Sequence, residues 1–319
     1  MDPIEELLQL YCEHPTQAIE ADGALLLHRF QVPDADGLLA IDGYKEAFSL
    51  VSGCAALVDG IVTRQPDPEA QTRASVRLLR RMIDDGEPSK KIDATRRLVE
   101  GRLYKAWPPA HRDLYNRKKD ILEWRDFFVS YTNRDAPATN DQFRFLIRSS
   151  LGRTPRGEEN QSNYLARVIA RHLRRYQGLS GFFDEDNLKV GEDIQDEVDR
   201  YCRRAFALVQ LIEPLALERQ PPRNWCFHEY SQFSQNPGIV GLFGDKNRHF
   251  FVLAGGRLDD VRPANLDPVY QAWLGRIEKL KYISLQDERN AALRAKVQKI
   301  ATEILKLRAE IVDTWIESE

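Results

Sequence analysis

With 319 residues, 42% hydrophobic and 30% charged, and a formal net charge of −3, the chain is long enough for two ordinary domains and has the balance of a soluble globular protein. That charge calls for neither nucleic acid nor a membrane as partner. The N-terminus MDPIEELLQL lacks the basic and apolar regions of a signal peptide, no run approaches the roughly 18 apolar residues of a span, and Cys12, Cys54, Cys202 and Cys226 form no CxxC pair, so a cytoplasmic protein without a zinc site or disulfide framework is expected.

Residues 1–120 read as an all-α region. Ile4, Leu7, Leu8 and Tyr11 share one helical face, Ala47–Val62 reads as a buried helix, and Val76, Leu79 and Ile83 recur at helical spacing within Ala70–Ile83. A further helix is expected over Asp93–Tyr104, ended by Pro108 and Pro109, with Asp113–Trp124 leading into the next domain. Basic clusters at Arg80–Arg81, Lys90–Lys91, Arg96–Arg97 and Lys118–Lys119 suit either a nucleic-acid surface or solvated helix faces. Acidic residues interleave and no aromatic stacking pattern accompanies the bases, which favours solvated faces.

Residues 121–319 have a different texture, in which short apolar runs alternate with helical segments. FFVS (127–130) precedes a helix over Tyr164–Arg175, and SGFF (180–183) precedes one over Glu192–Arg204. ALVQLI (207–212) precedes a helix near Asn224–Phe233, HFFVLA (249–254) a short helix near Tyr270–Ile277, and YISL (282–285) a long final helix. Five β-α units with nearly continuous apolar strands predict an α/β fold, an open parallel sheet covered on both faces. Ligands in such sheets sit beyond the C-terminal ends of the strands, so function is expected in the residues that follow each strand.

Three blocks occupy those places: FFVSYTNRDA (127–136), GFFDEDNLKVGEDI (181–194), and FALVQLIEP (206–214) with NWCFHEY (224–230). In order and spacing they resemble the first strand and turn, the second strand and BB loop, and the third strand with its Trp-x-x-x-Glu helix segment, of Toll/interleukin-1 receptor (TIR) domains of the bacterial, NAD-cleaving kind. The resemblance covers about 126–316. It implies a flavodoxin-like five-stranded parallel sheet and cleavage of NAD+, as substrate and not cofactor, to nicotinamide and ADP-ribose or a cyclised form. It further implies a homo-oligomer assembled through TIR domains, a BB loop shared between neighbours, and a role in bacterial immune defence, with the helical N-terminal region sensing, oligomerising or binding an upstream partner. Glu229 is the catalytic carboxylate under this reading. Tyr131, Arg134, Asp184, Gly191 and Trp225 are its substrate-side residues. Thr132 and Asn133 intervene before Arg134, where family members often carry Arg sooner.

The chemistry of the last block stands apart from the resemblance. Trp225 and Glu229 are at i and i+4, which on a helix puts a stacking surface and a carboxylate on one face. Breaking the bond between ribose and nicotinamide releases a neutral pyridine, so no general acid is needed. The oxocarbenium-like sugar needs charge stabilisation, which one carboxylate supplies, and the ring needs an aromatic platform. The structural alternatives are core packing or helix anchoring for Trp225, ordinary strand-end packing for Tyr131, a solvated helix face for Glu229, and a cap of the BB loop for Asp184. His228 lies on a different helical face from Glu229, which argues against acid/base work with it. No G-x-G-x-x-G follows a strand and no P-loop motif is present. Region 137–160 is long for a first loop, with an extra helix expected at Gln142–Ser149.

Two readings of other classes remain beside the NADase: a non-enzymatic adaptor working by TIR–TIR contact, which has no need of Glu229, and a related enzyme acting on another N-glycosidic bond. Along the final helix Leu293, Val297, Ile300, Ile304, Leu307 and Ile311 form a heptad-like seam, suited to packing within the chain or to an intermolecular coiled coil.

Overall fold

The computed structural model describes residues 2–14, 26, 28, 31, 37, 43–131, 161–176, 178–183, 194–212, 225–234, 248–253, 271–273, 275, 283–284 and 290–318. The expected helix at Gln142–Ser149 and the BB loop from 184 to 193 lie outside them. The chain divides into two compact units, Met1–Glu123 and Trp124–Ser318.

In the first unit Asp2 and Asp67 each stand before a proline and accept a backbone hydrogen bond, from Ile4 N at 3.0 Å and Ala70 N at 2.8 Å. They cap α1 (Pro3–Glu13) and α3 (Pro68–Asp84), whose first-turn prolines lack an N–H that would have no partner there. Between them runs α2 (Tyr44–Leu57), which continues into a π-helical turn, Val58–Thr63. Gly86, at φ +70°, ends α3: its N–H and that of Glu87 bond back to Ile83 and Met82. Next come α4 (Ser89–Leu98), a second π-helical turn over Val99–Tyr104, and α5 (Pro109–Lys118).

The expected Asp93–Tyr104 helix is therefore α-helical only as far as Leu98, and Pro109 begins a helix where the sequence suggested an end. Both π turns are entered through Leu-Val-acid-Gly, at 57–60 and 98–101, a likeness that becomes legible only once the turns are seen. Arg102 joins them by an ion pair to Asp59 at 2.8 Å. Contrary to the expectation that no run approaches a span, Tyr44–Thr63 has 20 residues at hydropathy 1.4, enough to cross a membrane by length and composition. Its face bearing Val51, Cys54, Ala55, Val58 and Val62 is buried, which is compatible with a soluble protein. Ser49, Gly53, Ala56 and Gly60 are exposed, so the helix is buried on one side only.

The second unit is α/β. Strands β1 (Arg125–Ser130), β2 (Gly181–Phe182), β3 (Ala205–Ile212), β4 (His249–Leu253) and β5 (Ile283–Ser284) pair in parallel in the order β2-β1-β3-β4-β5. This order is compatible with a flavodoxin-like fold. Every residue of β3 is buried, as expected of a nearly continuous apolar run with both faces covered.

Helices α6 (Gln161–Arg175) and α9 (Asn290–Glu317) cover one face, where Phe127, Val129, Ala207, Val209 and Leu211 meet Ile169, Leu173, Val297, Ile300 and Ile304. Helices α7 (Ile194–Arg203) and α8 (Trp225–Ser234) cover the other, where Phe128 and Leu208 meet Val198, Cys202 and Phe233. Of the α9 seam, Val297, Ile300 and Ile304 are thus used inside their own unit. Each such buried aliphatic side chain contributes about 1.5–3 kcal/mol.

Polar groups at the N-terminal edge of the sheet are structural. The Asp126 carboxylate accepts from Ser180 N at 2.6 Å, Ser180 Oγ at 3.0 Å and Arg308 Nη1 at 2.9 Å, which ties the starts of β1 and β2 to α9. Arg248 donates to the carbonyls of Phe206 and Ala205 at 2.9 and 2.6 Å and lies over the Phe233 ring.

Candidate active site

Helix α8 runs down one face of the sheet. Its first turn meets the C-terminal half of β3 through the Cys226 carbonyl, and its last turn meets Arg248 and His249 at the start of β4 through Phe233 and Ser234. Trp225 opens the helix with 43% of its surface exposed, while Glu229, one turn on, is only 9% exposed. The i, i+4 spacing therefore joins an accessible ring to a sheltered carboxylate, as the two sit at different depths. Shelter matters because a charge acts more strongly where water is scarce.

The neighbours of Glu229 come from α7. The thiol of Cys202 donates to the Glu229 carbonyl at 3.4 Å. Burial, then the negative charges of Glu229 and Asp199, pushes that thiol well above its ordinary pKa, so it stays protonated and is no nucleophile. His228 Nε2 lies 2.6 Å from Asp199 Oδ1, and its ring meets Trp225 edge-on at 5.7 Å. His228 thus serves as a tie between α8 and α7, on a different face from Glu229.

Tyr131, just past β1, is 5% exposed, stacks on Phe183 at 5.3 Å, and belongs to the core beneath α6 and α9. Strand alternation explains this placement: successive side chains take opposite faces, so Ser130, not Tyr131, is directed toward α8. Arg134, Asp184 and Gly191 lie outside the described residues.

Two residues that sequence reading passed over stand under the first turn of α8. Ser130 and Gln210 are register partners on β1 and β3, both fully buried. Gln210 Nε2 donates to Ser130 Oγ at 3.0 Å and to the Cys226 carbonyl at 2.6 Å. Its Oε1 has no hydrogen-bond partner among the described residues. The signal for it was in the sequence: one amide within an otherwise apolar strand. Asp199 carried no such signal, since 29 residues separate it from His228.

Compared with known proteins, the chain matches no family model, and no curated protein or solved structure is significantly similar to it.

Proposed function

We propose that the second unit is a TIR-type NAD+ glycohydrolase with a flavodoxin-like five-stranded sheet, in which Glu229 is the catalytic carboxylate. The observation that carries this reading is the sheltered carboxylate of Glu229 one helical turn from the exposed ring of Trp225, on the helix that follows the third strand of a parallel sheet. Trp225 offers a platform for a nucleotide ring. Glu229 stabilises the oxocarbenium-like ribose as neutral nicotinamide departs, with no general acid required. Arg134, Asp184 and Gly191 keep the substrate-side roles that the resemblance implies. Self-association through 184–193 is the proposed switch, and the helical unit is the sensing or assembling part, in a bacterial defence setting.

The test is product analysis after incubating the purified chain with NAD+ at high and low protein concentration. Release of nicotinamide with ADP-ribose or its cyclic form is expected. Glu229→Gln should lose about 3–4 kcal/mol of transition-state stabilisation, a few hundredfold in rate, while remaining folded. An active, folded Glu229→Gln variant would falsify the assignment.

A further inference from the structure

Seven of the eight side chains of β3 are apolar, and the eighth, Gln210, has no exposure to solvent. An aliphatic residue would fill the place without desolvating an amide. What the amide adds is direction. Its Nε2 bridges the end of β1, at Ser130 Oγ, and the first turn of α8, at the Cys226 carbonyl, at 3.0 and 2.6 Å. Apolar packing alone lets a helix slide or roll on a sheet, whereas hydrogen bonds to two different elements have preferred lengths and angles.

The tethered carbonyl belongs to the residue after Trp225, three before Glu229. The lower part of α8 is fixed separately, by Cys202 at the Glu229 carbonyl and by Arg248 beneath Phe233. In the upper turn His228 ties α8 sideways to Asp199 of α7, and Gln210 ties it down to the sheet. We propose that Gln210 is a positioning residue: its amide locks the first turn of α8 onto β1 and β3 and so sets where Trp225 and Glu229 stand relative to the reacting sugar. This rests on the reading of Glu229 as the catalytic carboxylate. Gln210 is too deeply buried to touch a substrate, and it acts through the helix.

The experiment uses the full-length chain with Gln210→Met, which keeps the length of the side chain and removes both donors, and with Ser130→Ala, which removes one anchor. Two readouts are taken. Hydrogen exchange of the α8 amides should become at least about tenfold faster in Gln210→Met, and less so in Ser130→Ala, while the melting temperature stays within about 3 °C of the parent. A merely structural role would lower the melting temperature along with activity. In NAD+ turnover kcat should fall about tenfold to a hundredfold with KM within about twofold, since a shift of an ångström in a catalytic group costs rate at that scale. If Gln210→Met fails to fold, Ser130→Ala carries both measurements. Unchanged α8 exchange in the folded variants overturns the proposal, and so does parental kcat. A parent chain that leaves NAD+ intact refutes the function proposed above. The exchange of α8 then decides alone whether Gln210 holds the helix.

Discussion

A methyl group added at Gly181 would lie 2.0 Å from the Phe127 ring, its register partner on β1. Only glycine fits there, because the buried ring of Phe127 lies across the strand and cannot withdraw without disturbing the core beneath α6. Gly181→Ala should therefore destabilise the second unit by about 1–3 kcal/mol through overpacking, read as a lower urea midpoint with unchanged m-value. An unchanged midpoint would mean that the ring turns aside freely. At this scale the sequence was unevenly legible. The spacing of Trp225 and Glu229 put them on one helix, because one helical turn fixes it. It did not give their different depths, which depend on how α8 sits on the sheet. The face taken by Tyr131 was equally hidden, since reading it needs the register of β1 and not just its existence.

Elements were legible where periodicity was strong. The apolar runs at β1, β3 and β4 and the helical spacing of α6 and α9 appear within a few residues of their expected bounds. The π-helical turns were not, since one extra residue in a turn barely alters the hydrophobic period. Their paired glycines give a prediction that separates packing from propensity. A methyl at Gly101 would meet Cys12 Sγ at 2.3 Å, where α1 approaches, whereas one at Gly60 meets nothing within 4 Å. Gly60→Ala should be neutral or stabilising by up to about 1 kcal/mol, because alanine restricts the unfolded chain. Gly101→Ala should destabilise by about 1–3 kcal/mol, as α1 or the turn must move. Thermal melts of the two variants side by side check this. Equal shifts would mean that α1 yields to the methyl at no cost.

For the whole molecule the question is whether the α/β unit is self-sufficient, and the seam along α9 bears on it. The sequence left that seam open to packing within the chain or to a coiled coil between chains. Val297, Ile300, Ala301 and Ile304 are buried against β1, β3 and α6, all within Trp124–Ser318. Helices α7 and α8 cover the opposite face with members of the same unit, and Asp126 ties β1 and Ser180 to α9 at Arg308. A sheet with both faces closed by its own helices has the core that an independently folding domain requires. The fragment 121–319 should therefore be soluble, show mixed α/β circular dichroism and melt in one cooperative transition. Under the proposed function its NAD+ cleavage should differ from that of the full chain: lower if residues 1–120 drive assembly, higher if they restrain it. Forced clustering of the fragment should restore turnover in the first case and leave it unaltered in the second. A molten or insoluble fragment would show that the two units fold as one, a result that bears on domain organisation and leaves the role of Glu229 to its own test.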